Sequence, residues 1–386
     1  CQFSFAQHMP PSLVQHDIHG DGGVNSIPGL NSLSSESFGF GSQSKLDIGK
    51  GGIVEFSFGS RTPKKVMRVH YFLPTCWTIS TPILFVMHGV KRDADKYFSK
   101  MIKKDLPQKF GFTLICPEFS KENFPSRAGY NSGNVFRKEN TKRRNERTDW
   151  GFSALESIFD SYLSITGSRV DGYYLYGHSA GAQFVHRHLA FIGSGGTPLR
   201  VIRAVAANAG FYTLPTFEIP FPFGFGGTES VFREEDLRKY LQAPLTVVLG
   251  ELDDDHHHKH LNRSEGAMQQ GPHRLARGRH FYEAGAKMAR ALGVPFGWSM
   301  HYVPGVGHSD GRMSRASMQY LFKDRHLEVC VRPGDGGDSS GVASALPPAA
   351  AEAVAAAAGD SDGEESTSST SDSDDPAGGA GGPLRR

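Results

Sequence analysis

Short β-rich runs alternating with helix-length segments constrain this chain more than any other feature. Gly52–Phe58 and Lys65–Leu73 read as an antiparallel opening pair. Pro82–His88, Phe112–Pro117, Gly172–Gly177, Val201–Asn208, Leu245–Gly250 and Trp298–Val303 follow, several apolar enough to be buried on both faces. Between them lie helical patterns at Ala94–Phe110, Trp150–Ile165, Ala180–Phe191, Glu234–Gln242 and Phe281–Leu292. Parallel strands need crossover connections, and such crossovers are right-handed. The pattern therefore predicts an α/β fold, a mostly parallel central sheet with helices on both faces. At 386 residues and 38% apolar, the chain can bury one large core.

Composition marks the expected limits of that domain. Residues 333–386 hold no aromatic residue and ten acidic residues against Arg385 and Arg386. Such a segment buries too little apolar area to offset its ordering entropy, so 331–386 is expected to be a disordered acidic tail. Residues 1–45, rich in Gly, Ser and Asn, are expected to be loosely ordered, which leaves 46–330 as the folded domain. The net charge of +2 conceals a split, because residues 333–386 carry −8 and residues 1–332 carry +10. No apolar run approaches the ~20 residues that cross a bilayer. The first residue is Cys1 rather than Met, so localisation stays open. Cys1, Cys76, Cys116 and Cys330 lie far apart and suggest neither a disulfide framework nor a thiolate metal site. Cys116, in an apolar run, reads as a buried thiol.

Gly177-His178-Ser179-Ala180-Gly181 falls between the run Gly172–Gly177 and the helical stretch that follows. A Gly-x-Ser-x-Gly on a tight strand-to-helix turn strains the serine backbone and lifts its hydroxyl clear of the sheet. Glycines two before and two after let neighbouring backbones approach, and the helix N-terminus aims N–H groups at a developing oxyanion. The bare pattern occurs four times, the others centring on Ser309, Ser339 and Ser361. Ser339 and Ser361 lie in the tail with no strand before them. After Ser309, Asp310-Gly311 is expected to block immediate helix entry. Only Ser179 has the required surroundings.

Reactive groups in such sheets collect at the carboxyl ends of strands. Glu251-Leu252-Asp253-Asp254-Asp255 follows the run Leu245–Gly250, and Pro304-Gly305-Val306-Gly307-His308 follows the run ending at Val303. Serine, acid and histidine thus come in the order Ser179, Asp253, His308. His308 would take the Ser179 proton, and the carboxylate would fix the imidazole tautomer. Asp253 is the preferred acid, with Asp254 and then Glu251 as alternatives. His88-Gly89-Val90 ends an early apolar run, so the N–H groups of Val90 and Ala180 are the candidate oxyanion donors.

These pieces, together with Tyr176 to Phe184, Leu249 to Asp253 and Pro304 to His308, resemble the α/β-hydrolase superfamily over about residues 50–325. Within it they resemble bacterial-type serine esterases akin to polyhydroxybutyrate depolymerases and feruloyl esterases. The resemblance implies an α/β-hydrolase fold over 46–330 and serine-hydrolase chemistry on a small-molecule ester through an acyl-enzyme. It implies no metal and no organic cofactor. A serine peptidase of the prolyl-oligopeptidase kind and a non-catalytic ligand-binding member of the superfamily are the alternatives. The long segment between Asp254 and His280, with His256-His257-His258-Lys259-His260, departs from the pattern. That histidine run reads as polar drift rather than a metal site. The basic stretch Phe136–Arg147 reads as an exposed loop, or as a cap over the site. Aromatics in Phe211–Phe225 could line a pocket or plug the sheet edge. No recognised module accompanies the charge, so nucleic-acid binding is not expected. Oligomeric state is not readable.

Overall fold

The computed structural model describes residues 39–40, 46–60 and 64–323. The expected loose N-terminal segment and acidic tail lie outside the described residues, except for 39–40. Among the described residues nine strands form one sheet: β1 (Gly39–Phe40), β2 (Gly51–Phe58), β3 (Lys65–Phe72), β4 (Ile83–Met87), β5 (Thr113–Pro117), β6 (Tyr173–His178), β7 (Val201–Ala207), β8 (Leu245–Gly250) and β9 (Ser299–Val303). Their spatial order is β1-β2-β3-β5-β4-β6-β7-β8-β9. The pairs from β1 to β5 are antiparallel, and β5, β4, β6, β7, β8 and β9 run parallel. The expected fold class holds.

The helices are α1 (Ala94–Lys103), α2 (Leu106–Phe110), α3 (Ser126–Gly129), α4 (Gly151–Thr166), α5 (Ala180–Ile192), α6 (Glu234–Leu241), α7 (Glu265–Met268), α8 (Arg274–Leu292) and α9 (Asp310–Leu321). Strand periodicity explains how they cover the sheet. In β4, Ile83, Phe85 and Met87 enter one apolar cluster while Leu84 and Val86 enter another. The first cluster takes Leu155 of α4, Phe184 of α5, Leu237 of α6 and Phe281 of α8. The second takes Met101 of α1 and Met313 and Leu321 of α9. Every residue of β4, β5 and β6 is buried, at about 1.5–3 kcal/mol for each large apolar side chain, so the sheet interior is the stable centre of the domain.

Three helical segments depart from expectation. The segment Ala94–Phe110 is broken at Asp105, which sits at φ 56° ahead of α2 with its Pro107. Helix α8 begins at Arg274, where the His273 side chain accepts from Ala276 N–H, rather than at Phe281. Asp310-Gly311 does not block helix entry, because α9 starts at Asp310, directly after Ser309. Cys116 is a buried free thiol. Cys76 is disulfide-bonded, a pairing that spacing along the chain did not suggest, since distant cysteines reveal partners only once folded.

Candidate active site

The chain fills β4 and β5 on one side before crossing to β6 on the other, so the strand order reverses between β4 and β6. Crevices outside the carboxyl ends at such a reversal are where α/β sheets bind ligands. Met87 of β4 pairs in register with Gly177 of β6, which brings the loop after β4 beside Ser179. Ser179 has φ 57° and ψ −116°, and α5 starts at the next residue. That backbone is strained for a residue with a Cβ. The turn closes only because its flanks are glycine: a Cβ on Gly177 would lie 2.3 Å from Gly181 O, and one on Gly181 would lie 2.1 Å from Met87 O.

Three side chains meet at this turn. Ser179 Oγ lies 3.1 Å from His308 Nε2, and His308 Nδ1 lies 2.7 Å from Asp253 Oδ2. A carboxylate only accepts, so Nδ1 carries the proton and Nε2 is left to accept from the serine. Asp253 is buried, whereas Glu251 and Asp254 are exposed. The backbone holds the acid and histidine loops in register, with Leu252 N–H donating to Val306 O at 2.9 Å. Asn208, at φ 49°, ties both loops to the end of β7: its Oδ1 accepts from Gly250 N–H at 2.8 Å and its Nδ2 donates to Gly307 O at 3.1 Å.

Two solved structures are similar to this chain. Poly(aspartic acid) hydrolase-1 from Sphingomonas sp. KT-1 is 38% identical, with a TM-score of 0.64 over 70% of this chain and 98% of that one. The poly(3-hydroxybutyrate) depolymerase LpqC from Bordetella parapertussis is 31% identical, with a TM-score of 0.65 over 72% of this chain and 90% of that one. The chain belongs to the α/β-hydrolase superfamily. It is a serine hydrolase of the esterase type. No family model matches the chain, and no curated protein matches it by sequence.

In this α/β-hydrolase, His88 fixes the loop that carries Val90. Its ring Nδ1 bonds Gly89 O at 3.0 Å, its Nε2 accepts from Phe119 N–H at 3.0 Å, and burial lowers its pKa to about 3. Val90 stands at the mouth, 54% exposed, and Ala180 is buried at the start of α5. The remaining sequence features fall into place around this frame. Arg147, at the end of the basic stretch, donates to Ile192 O at 2.6 Å, at the end of α5 remote from Ser179, and anchors that end of the stretch. Phe221 and Phe225 pack on Phe191 of α5 inside the first cluster. Phe223 instead packs tilted against Phe211, with ring centroids 4.8 Å apart. Among the described residues no His, Cys, Asp and Glu group is arranged to hold a metal ion, and no helix is long and apolar enough to cross a membrane.

Sequence reasoning missed two neighbours of His308 and one of Asp253. The His178 ring packs 4.5 Å from it, and burial, then the charge of His308, hold His178 well below the usual histidine range. The His258 ring lies 5.6 Å away, edge-on. Arg274, 2% exposed, places Nη1 3.3 Å from Asp253 Oδ1. His178 lies inside the Gly-x-Ser-x-Gly motif at a position where the pattern admits any residue. Nothing in the sequence linked Arg274, 21 residues from the acid, to the site.

Proposed function

We propose that this hydrolase cleaves carboxylic esters of small molecules with a Ser179–His308–Asp253 triad and an acyl-enzyme intermediate. The observation that carries the reading is the unbroken hydrogen-bonded series from Ser179 Oγ through His308 to Asp253. Ser179 attacks the acyl carbonyl as His308 Nε2 takes its proton, and Asp253 stabilises the imidazolium. The Val90 and Ala180 N–H groups receive the oxyanion. Ala180 is the first residue of α5, where N–H groups have no intrahelical acceptor and the helix end is positive. His308 then passes the proton to the leaving alcohol. It next activates water, which releases the acid from Ser179. Every step uses protein groups and water alone.

Hydrolysis of short- and long-chain p-nitrophenyl esters beside the matching anilides tests the reading. Turnover of the esters, absent in Ser179→Ala, is expected. The similarity to an enzyme named for poly(aspartic acid), a polyamide, favours amide cleavage as the second reading. Anilide turnover matching that of the ester would establish it in place of the first.

A further inference from the structure

One member of the histidine run after Asp253 reaches the site. His256, His257 and His260 are exposed, but His258 is half-buried. Its Nδ1 faces Arg274 Nη2 at 3.1 Å and accepts from His260 N–H at 3.2 Å. A guanidinium has donors and no acceptor. Two donors therefore converge on Nδ1, which leaves the ring neutral with its proton on Nε2. Burial, then the Arg274 charge, lowers the His258 pKa to about 4, in the same direction.

This contact bears on the acid. Arginine and carboxylate prefer a two-pronged grip on both oxygens. Here Arg274 touches only Asp253 Oδ1, and Oδ2 remains with His308. His258 occupies Nη2, while the buried Nε has no hydrogen-bond partner. We propose that His258 is a positioning residue that acts through Arg274, holding the guanidinium off the second carboxylate oxygen so that His308 keeps it. The proposal rests on the triad reading above. Without an acceptor at position 258, the buried guanidinium turns to grip both oxygens of Asp253. The Asp253–His308 bond then weakens, and the serine loses its aligned base.

The test measures the rate constant for labelling by a fluorophosphonate probe, and kcat/KM for a p-nitrophenyl ester, on the full chain. His258→Phe keeps a ring and loses the acceptor. His258→Asn keeps an acceptor near the Nδ1 position and loses the ring. The expected result is a loss of about tenfold in His258→Phe at unchanged melting temperature, with His258→Asn close to wild type. In an Arg274→Met background, His258→Phe should change nothing further. The proposal is overturned if His258→Phe matches wild type, if His258→Asn falls as far as His258→Phe, or if the Arg274 and His258 effects multiply. A folded wild type that takes no label removes the triad reading and this proposal with it. A labelled wild type with an unaffected His258→Phe removes the proposal alone.

Discussion

Replacing Asp253 with asparagine changes one atom and should nearly abolish turnover. Both carboxylate oxygens are engaged, Oδ2 with His308 Nδ1 at 2.7 Å and Oδ1 with Arg274 Nη1 at 3.3 Å. Asparagine offers one acceptor and one NH2 donor. Arg274 can only donate, so the carbonyl turns to it and the NH2 faces His308. Nδ1 must then accept, the imidazole proton moves to Nε2, and a donor points at Ser179 where an acceptor is required. A wrong tautomer costs on the order of 10⁴ in kcat, or about 5 kcal/mol of transition-state stabilisation. Steady-state kinetics on a p-nitrophenyl ester read the loss, and a thermal melt shows that the variant is folded. Adding Arg274→Met frees the amide to turn its carbonyl to His308, so part of the activity should return. A folded Asp253→Asn enzyme within tenfold of wild type would refute the reasoning.

Other perturbations probe the supports. Gly181→Ala puts a Cβ 2.1 Å from Met87 O and 2.9 Å from His88 O. Both neighbours are backbone, so urea unfolding should show a loss of about 3 kcal/mol or more; an unchanged midpoint would mean that the elbow is looser than described. Asn208→Ala removes the bonds to Gly250 N–H and Gly307 O. It should cost about 1–3 kcal/mol in unfolding measurements and lower kcat by displacing His308. His88 has a folded pKa of about 3, depressed from 6.5 chiefly by burial. Its contribution is therefore complete above pH 6.5 and declines as pH falls from there toward 3, by up to about 1.4 kcal/mol per pH unit. The stability difference between wild type and His88→Gln, measured against pH, should shrink over that window; a flat difference would exclude His88 as the titrating group.

Local chemistry explains which parts of the fold could be read in advance. Strands β4 to β8 were placed to within a residue or two because each is a short, buried, apolar run with polar or glycine punctuation. Helix α8 was seen only from Phe281, since Arg274 and Arg277 make its first turns look solvated. Both arginines are in fact buried, Arg274 on Asp253 and Arg277 with Nη1 on Gly210 O at 2.6 Å. Nothing in one dimension announces a buried arginine, because its partners come from other loops. The same limit applies at the site. The sequence order of Ser179, Asp253 and His308 could be read because each follows a strand end. The roles of Asn208, Arg274 and His258 depend on contacts that exist only after those ends converge. His258 was hidden further by its neighbours, since a run of histidines gives no sign of which one faces inward.

The central claim is that Ser179 is the nucleophile, and adduct mapping tests it most directly. The full chain is treated with a fluorophosphonate, digested, and the modified residue located by mass spectrometry. The account predicts one adduct, on the peptide containing Ser179, lost in Ser179→Ala and retained in Ser309→Ala. An adduct on any other serine, or labelling that survives Ser179→Ala, would contradict it.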